Sequence, residues 1–218
     1  MTVNEKTEVR KQKILEAATS IFAQKGFQDA TISEIAKLSA ISEASVYDYY
    51  NTKENLLFSI PQMHVKRLQK ELEFHLKLIR GAMNKLHASL YMHLYFYNEN
   101  PDFAAVLLLI LKHNRRFIDT EAHQEIRKSL KIIDRIIDEG INNGEFSSDI
   151  NPYYVRVFMI GALEHIVINW LMRNKPKNLM DAFEPLFEIG LKIVNKEQII
   201  PDCPLIFREK GKNNHVCN

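Results

Sequence analysis

Apolar residues recur at three- and four-residue steps along most of the chain, which is the spacing of one face of an α-helix. The first segment shows this spacing at Ile14, Ala17, Ala18, Ile21 and Phe22. Gly26 follows where a left-handed helix C-cap is expected. No stretch of useful length alternates apolar and polar residues, as a half-buried strand would. The pattern therefore predicts an all-α protein.

Two short helices are predicted next, on either side of a three-residue break. Thr31 precedes the first helix and Glu34 stands three residues later, which is a capping box. The break covers residues 39–41, after which Ser42 can cap the second helix and Val46 points inward. This is the spacing of a helix-turn-helix, in which the free face of the second helix can enter a major groove.

A fourth helix is predicted to begin after Asn51 and Thr52, with Pro61 expected to kink or interrupt it. Longer helices are predicted beyond it over residues 62–80, 84–98, 102–118, 122–143, 152–174 and 179–196. The sequence therefore divides into a small helical bundle over residues 1–60, a larger helical domain over 61–196 and an irregular tail over 197–218.

The chain is 46% hydrophobic and 26% charged, with a net charge of +2, as expected of a soluble globular protein. Its first 60 residues carry seven basic and eight acidic side chains, giving a net charge of −1. Binding to a nucleic acid must therefore depend on where charges are placed, not on their total.

The chain has two cysteines, Cys203 and Cys217, which are too few for a disulfide framework. We expect two reduced thiols and a cytoplasmic location, although a redox bridge in the tail stays possible. No membrane association is expected, because the apolar run 103–111 is too short and the run 155–172 contains Arg156 and Glu164.

The stretch Ile14–Leu57, ILEAATSIFAQKGFQDATISEIAKLSAISEASVYDYYNTKENLL, resembles the TetR family of bacterial transcriptional regulators. The shared elements are I-L-x-A-A, K-G-F, T-I-x-x-I-A, S-x-x-S-V-Y-x-Y-Y and K-E-x-L-L. The rest of the chain resembles the family in architecture and in the segment IIDEGINNGEF. The resemblance implies a ligand-responsive regulator, in most cases a repressor, that binds a palindromic double-stranded operator as a homodimer.

The resemblance also implies roles for individual residues of the helix-turn-helix. Contacts to DNA phosphates are implied for Thr31, Tyr47, Tyr49 and Lys53. Positions facing or adjoining base edges are Ser33, Ser42, Glu43, Ala44 and Ser45. Basic residues that could reach the backbone or minor groove are Lys6, Arg10, Lys11 and Lys13. This chain departs from the family in having alanine at position 40, where glycine is usual, and Glu43, where lysine is common. A positive φ at Ala40 would cost about 1 kcal/mol.

The larger domain has polar groups on otherwise apolar helix faces, which could orient an effector in an apolar pocket. These candidates are His93, Tyr97, His113, Glu164, His165, Asn169 and Trp170. They suggest a hydrophobic small molecule, with an acyl chain and a cationic drug both left open. The last two long helices are the predicted dimer interface, where Gly161 would permit close approach of a partner helix. Burial of both helices in the protein's own core is the alternative.

No motif for catalysis, metal binding or a cofactor occurs in the sequence. We therefore expect a protein that is not an enzyme. A helical adaptor that binds protein in place of DNA is the alternative function, favoured by the acidic balance of the first 60 residues. A salt titration distinguishes the two, because the affinity of a repressor for DNA falls steeply with salt.

Overall fold

The computed structural model describes residues 3–195, with side chains at positions 5–65 and 68–195. Within this range the chain forms ten α-helices, one π-helical turn and one 3-10 turn, and no strand, which confirms the all-α prediction. The predicted tail 197–218, with its two cysteines, lies outside the described residues. The α-helices are α1 (Val3–Asp29), α2 (Ile32–Ser39), α3 (Glu43–Tyr50), α4 (Lys53–Leu76), α5 (Ala82–Glu99), α6 (Pro101–Ala105), α7 (Arg115–Ile118), α8 (Glu121–Asn142), α9 (Pro152–Arg173) and α10 (Phe183–Val194).

The first three helices form a small bundle closed by the start of α4. The apolar face predicted for α1 is buried, with Ile14 and Phe22 fully enclosed. Helical geometry in α1 is broken at Gly26, where φ is 74° and ψ is 178°. The break lies where the C-cap was predicted, but ψ is extended and not left-handed helical. The capping box of α2 is present, since Glu34 N donates to Thr31 Oγ1 (3.3 Å) and Thr31 N donates to Glu34 Oε2 (3.1 Å).

Helix α4 passes through Pro61 without ending, contrary to the prediction of an interruption there. The proline removes one backbone donor. Burial of the neighbouring Leu56, Leu57 and Ile60 offsets that loss, because all three side chains are fully enclosed. The predicted boundary at residue 60 therefore falls inside one continuous helix, which packs against α1 at its start and against α5 and α8 beyond.

The segment predicted as a single helix over residues 102–118 is divided into three parts. Helix α6 is followed by a π-helical turn, Val106–Leu111, in which Lys112 N donates to Leu107 O (3.0 Å). Asn114 then caps α7 by accepting a hydrogen bond from Arg116 N (3.0 Å). The remaining long helices lie within a few residues of their predicted bounds, and the last begins with a 3-10 turn, Leu179–Ala182.

Two contacts fix the larger domain around α5 and α8. The carboxylate of Glu145 caps the start of α5 by accepting hydrogen bonds from Ala82 N (3.0 Å) and Met83 N (3.1 Å). Gly140 in α8 lies directly under the ring of Phe146, where an added Cβ would come within 2.1 Å of the ring. The loop after α8 is therefore folded back tightly onto both helices.

Candidate nucleic-acid interface and effector cavity

The turn between α2 and α3 sets the angle at which α3 is presented. Ala40 has φ 57° and ψ 38°, so alanine adopts the left-handed conformation that the sequence analysis expected to be costly. Ile41 N donates to Ala36 O (3.0 Å), and Ser45 N donates to the Ser42 side chain (3.3 Å). Val46 is buried beneath α3. One face of α3 is thus held against the bundle.

The opposite face of α3 lies in solvent. The exposed candidates for DNA contact are Thr31, Ser33, Ser42, Glu43, Ala44 and Tyr47, while Ser45, Tyr49 and Lys53 are half-buried. Tyr47 is 48% exposed, which leaves its hydroxyl available to a partner. Their roles toward DNA remain predictions, but their placement on one side of the bundle is compatible with them.

Tyr50 follows Tyr49, a candidate for DNA contact, but its own side chain packs against the protein. Its hydroxyl donates to Lys11 O (3.3 Å) and its ring lies edge-on to that of Tyr49 at 6.5 Å. Burial raises the pKa of Tyr50 to about 12, so the hydroxyl keeps its proton and its hydrogen bond. Tyr50 therefore ties the end of α3 to α1.

Lys53 joins α4 to the connection between α1 and α2. Its Nζ donates to Ala30 O (2.9 Å) and Gln28 O (3.2 Å) and lies 4.6 Å from the centre of the Phe27 ring. These bonds hold the chain immediately before Thr31. The phosphate contact implied for Lys53 stays a prediction, and the structure adds a positioning function that the sequence did not indicate.

Charge around Thr31 is also arranged by the protein itself. Lys25 pairs with Glu34, and the Thr31 hydroxyl donates to Glu34 Oε2 (2.9 Å). The hydrogen bond from Lys25, followed by those from Thr31, lowers the pKa of Glu34. The side chain of Glu34 is therefore ionised at neutral pH, and its pairing with Lys25 partly neutralises it at the start of α2.

A cavity of about 60 Å³ lies in the larger domain between α4, α5, α8 and the α6–π segment. Its walls are mostly apolar. Three of the predicted effector residues, His93, Tyr97 and Glu164, line this cavity. His93 and Tyr97 meet there because a spacing of four residues places them on the same face of α5.

The other four effector candidates lie outside the cavity walls. His113 and His165 are exposed, and Asn169 and Trp170 are half-buried. Effector contact by these four stays a prediction that the cavity does not support. Four polar residues of the walls were not predicted from the sequence: Gln69, Ser89, Lys112 and Ser129. Lys112 follows the π-helical turn, whose register could not be predicted from the sequence.

Most polar groups in the cavity walls bond to the protein itself. The Ser89 and Ser129 hydroxyls donate to Lys85 O and Ile126 O, both at 2.7 Å. Gln69 donates to Glu73 at 2.9 Å, and Lys112 forms an ion pair with Glu164. Within the described residues, no group of histidines, cysteines and carboxylates is placed to hold a metal ion.

His93 and Tyr97 are the exceptions among these groups. The Nε2 atom of His93 is buried and has no hydrogen-bond partner among the residues whose side chains are described, 5–65 and 68–195. The two rings meet edge-on, with centroids 4.9 Å apart. Burial lowers the pKa of His93 to about 4 and raises the pKa of Tyr97 well above its ordinary value. Both side chains are therefore uncharged at neutral pH.

The outer faces of α9 and α10 expose several large apolar side chains, and Phe158 of α9 lies near Ile189 of α10. The members on these two helices include Tyr153, Tyr154, Val157, Phe158, Ile189 and Ile193. Gly161 lies on the same face of α9, and no atom lies within 4 Å of the position of an added Cβ. Helix α9 is long and apolar enough to cross a membrane by length and composition. Two of its charged residues are nevertheless paired inside the protein, since Arg156 donates to Asp134 at 2.6 Å and Glu164 forms an ion pair with Lys112.

Comparison with known proteins accounts for both parts of this architecture. Residues 14–60 match the model of bacterial regulatory proteins of the tetR family, and residues 62–192 match the YsiA-like C-terminal region of the same group. The chain belongs to the TetR family. It is therefore a ligand-responsive transcriptional regulator, as the resemblance implied, and the comparisons do not support the adaptor alternative.

Similar TetR-family proteins include the fatty acid metabolism regulator protein of Bacillus subtilis, at 23% identity over 81% of this chain and 91% of that protein. The regulator QacR of Staphylococcus aureus is 29% identical over 83% of this chain and 97% of its own length. FadR from Bacillus halodurans, a fatty acid degradation regulator, has a TM-score of 0.78 at 24% identity, covering 84% of this chain and 94% of FadR. FadR from Bacillus subtilis, solved in complex with stearoyl-CoA, has a TM-score of 0.73 at 24% identity, covering 82% of this chain and 96% of FadR. The two structural likenesses show a shared fold.

Proposed function

We propose that this protein is a cytoplasmic homodimeric repressor that binds a palindromic operator through α2 and α3 and leaves it when an acyl-chain effector enters the cavity. The exposed outer face of α3, on a bundle whose turn is fixed by backbone bonds, is the observation that carries this proposal. A single helix of eight residues reads few base pairs. Two copies related by a two-fold axis would read half-sites about 34 Å apart.

The DNA surface can be tested by selecting bound fragments from random DNA with the purified protein. We expect a palindromic site whose affinity falls steeply as salt rises. Tyr47→Ala should weaken binding to all such fragments, because the tyrosine is proposed to contact phosphate. Tyr95→Ala, an equally exposed tyrosine on α5, is the matched control and should leave affinity unchanged. If no sequence is enriched, or both variants behave alike, the DNA proposal is wrong.

The dimer is proposed to form through the apolar faces of α9 and α10. Phe158 is 44% exposed and Ile189 is 52% exposed, and the open space at Gly161 supports close approach of a second helix. Phe158→Asp should give monomers in sedimentation equilibrium, because the charge would be buried without a partner. Leu78→Asp, on an exposed leucine elsewhere, should remain dimeric. A wild-type protein that sediments as a monomer would refute this interface.

The effector is proposed to act by widening the cavity. At about 60 Å³ it is far smaller than the roughly 300–1,000 Å³ of most small-molecule pockets. An acyl chain can therefore enter only if a wall moves. Two walls, α4 and the α6–π segment, also contact α1, so their displacement would reach the DNA-binding bundle. An effector must bind the widened state better than the DNA-bound state, or it releases nothing.

An acyl chain is favoured over a cationic drug by the apolar walls and by the relatives that regulate fatty acid metabolism. The probe for this step is stearoyl-CoA, the molecule bound to the Bacillus subtilis relative. Titrated into the complex of protein and selected operator, it should lower the fluorescence anisotropy of labelled DNA. The variant Leu72→Trp, which fills the cavity from α4, should respond less. Unchanged operator affinity at saturating probe would contradict this part of the proposal.

A further inference from the structure

The polar groups of the cavity walls define what kind of effector head the cavity can hold. The charged groups among them, Lys112 and Glu164, are paired with each other. The hydroxyls of Ser89 and Ser129 are bonded to their own helices. The imidazole Nε2 of His93 has no partner among the described residues, and the phenol of Tyr97 lies beside it in the cavity wall, so these two uncharged rings can bind one head group together.

We propose that the effector presents an uncharged carbonyl oxygen, as in an ester or thioester, to His93 and Tyr97, and that the cavity discriminates against a free carboxylate or an ammonium group. This inference rests on the proposed function, because it concerns the same cavity. A neutral imidazole has one N–H donor and a protonated phenol has one O–H donor. A carbonyl oxygen has two lone pairs and can accept from both.

A charged head would have to break the ion pair to find a partner. A carboxylate bound to Lys112 would leave Glu164, whose side chain is 14% exposed, without its counterion. An ammonium bound to Glu164 would displace Lys112, whose side chain is 37% exposed. The first case leaves the largely buried Glu164 unpaired, which is strongly unfavourable. In the second case the ammonium must give up its water for a carboxylate that already has a cation. An uncharged head leaves the pair intact.

The orphaned ring nitrogen of His93 supports the same assignment. A buried polar atom without a partner is uncommon in a native protein and costs stability until a partner arrives. Burial lowers the pKa of His93 to about 4, so the ring does not gain a charge that would attract an anion at neutral pH. The ring is thus suited to hydrogen bonding and not to ion pairing.

Three probes with the same ten-carbon chain test the proposal: methyl decanoate, decanoate and decyltrimethylammonium. Binding to the full chain without DNA is measured by isothermal titration calorimetry at neutral pH. We expect methyl decanoate to bind at least about tenfold more tightly than either ion, since an unpaired buried charge costs several kcal/mol. Tighter binding of the ammonium probe would place the head at Glu164, and tighter binding of decanoate would place it at Lys112. Either result overturns the proposal.

A preference for the ester could also arise from simple partitioning, so a second readout follows the carbonyl itself. The infrared stretching band of carbonyl-labelled methyl decanoate should move to lower frequency in the protein than in hexane, because hydrogen bonds weaken the C=O bond. Tyr97→Phe and His93→Phe should each reduce this shift and lower ester affinity about three- to tenfold, the usual loss for one neutral hydrogen bond. A band unshifted in the wild type, or unchanged in both variants, overturns the assignment.

Tyr95→Phe is the matched control, since Tyr95 lies on the same helix but is 46% exposed and outside the cavity walls. It should leave both the band and the affinity unchanged. Failure of operator selection would refute the proposed function while the probe measurements, made without DNA, still decide the head group. If an operator is selected but the ester binds the His93→Phe and Tyr97→Phe variants as it binds the wild type, only the inference about the head group is refuted.

Discussion

Ala40 tests whether the turn of the helix-turn-helix stores strain that a single substitution can release. Its φ of 57° and ψ of 38° lie in the left-handed region, where an L-residue with a Cβ is disfavoured by about 1–2 kcal/mol. Ala40→Gly removes that penalty. It also makes the unfolded chain more flexible, which lowers stability by about 0.4–1 kcal/mol. Ala40 is exposed, so loss of its methyl group removes little packing.

The difference between these terms is a net stabilisation of about 1 kcal/mol, or roughly 2–4 °C in midpoint temperature for a chain of this size. Differential scanning calorimetry at one fixed protein concentration would measure it, because the stability of any oligomer depends on concentration. The control is Ala88→Gly in the middle of α5, where the backbone is right-handed helical. It should lower stability by about 1 kcal/mol, since glycine is a poor helix former. If the Ala40→Gly variant has a lower midpoint temperature than the wild type, the turn is not strained as described.

Three further predictions follow from the packing and the titrating groups. Gly140→Ala should lower the free energy of unfolding by about 1–3 kcal/mol in a urea titration, because the added Cβ would overlap the ring of Phe146. Adding Phe146→Leu to that variant should restore part of the loss. Glu145→Gln should destabilise the protein at neutral pH. Hydrogen bonds from Ala82 and Met83 lower the pKa of Glu145 from 4.5, so the difference from the wild type should vanish as pH falls below that value; a pH-independent difference would contradict this cause. Burial lowers the pKa of His93 from 6.5 to about 4, so the unfolded chain binds a proton there before the folded one does. His93→Phe should therefore reduce the loss of stability between pH 6.5 and 4, and NMR titration of the wild-type ring should show no protonation near pH 6.

Local signals in the sequence were sufficient for the DNA-binding bundle. The capping box at Thr31 and Glu34 uses residues three apart, and the inward position of Val46 follows from helical spacing. Both are present in the structure. Even the strained turn at Ala40 could be predicted, because the family resemblance fixed the position at which glycine is usual.

Features that depend on packing between helices were not predicted. Continuity of α4 through Pro61 results from the enclosure of Leu57 and Ile60 by other helices, which the sequence does not specify. The run 103–111 is apolar all round, so its periodicity gives no sign of a change in helical register. For the cavity, His93 and Tyr97 share a face of one helix, but the contact of Lys112 with Glu164 joins two distant segments.

The π-helical turn at Val106–Leu111 has a consequence for how this chain tolerates insertion and deletion. Such a turn holds one residue more than an ordinary helical turn. Removing a single residue between Leu107 and Lys112 would place them four residues apart, so regular winding would return and the chain after the turn would keep its orientation. Lys112 would then keep its hydrogen bond to Leu107 O and its ion pair with Glu164. The segment can therefore lose one residue without a change of charge beside the cavity, whereas a deletion in a regular helix such as α5 would turn every later side chain by about 100°.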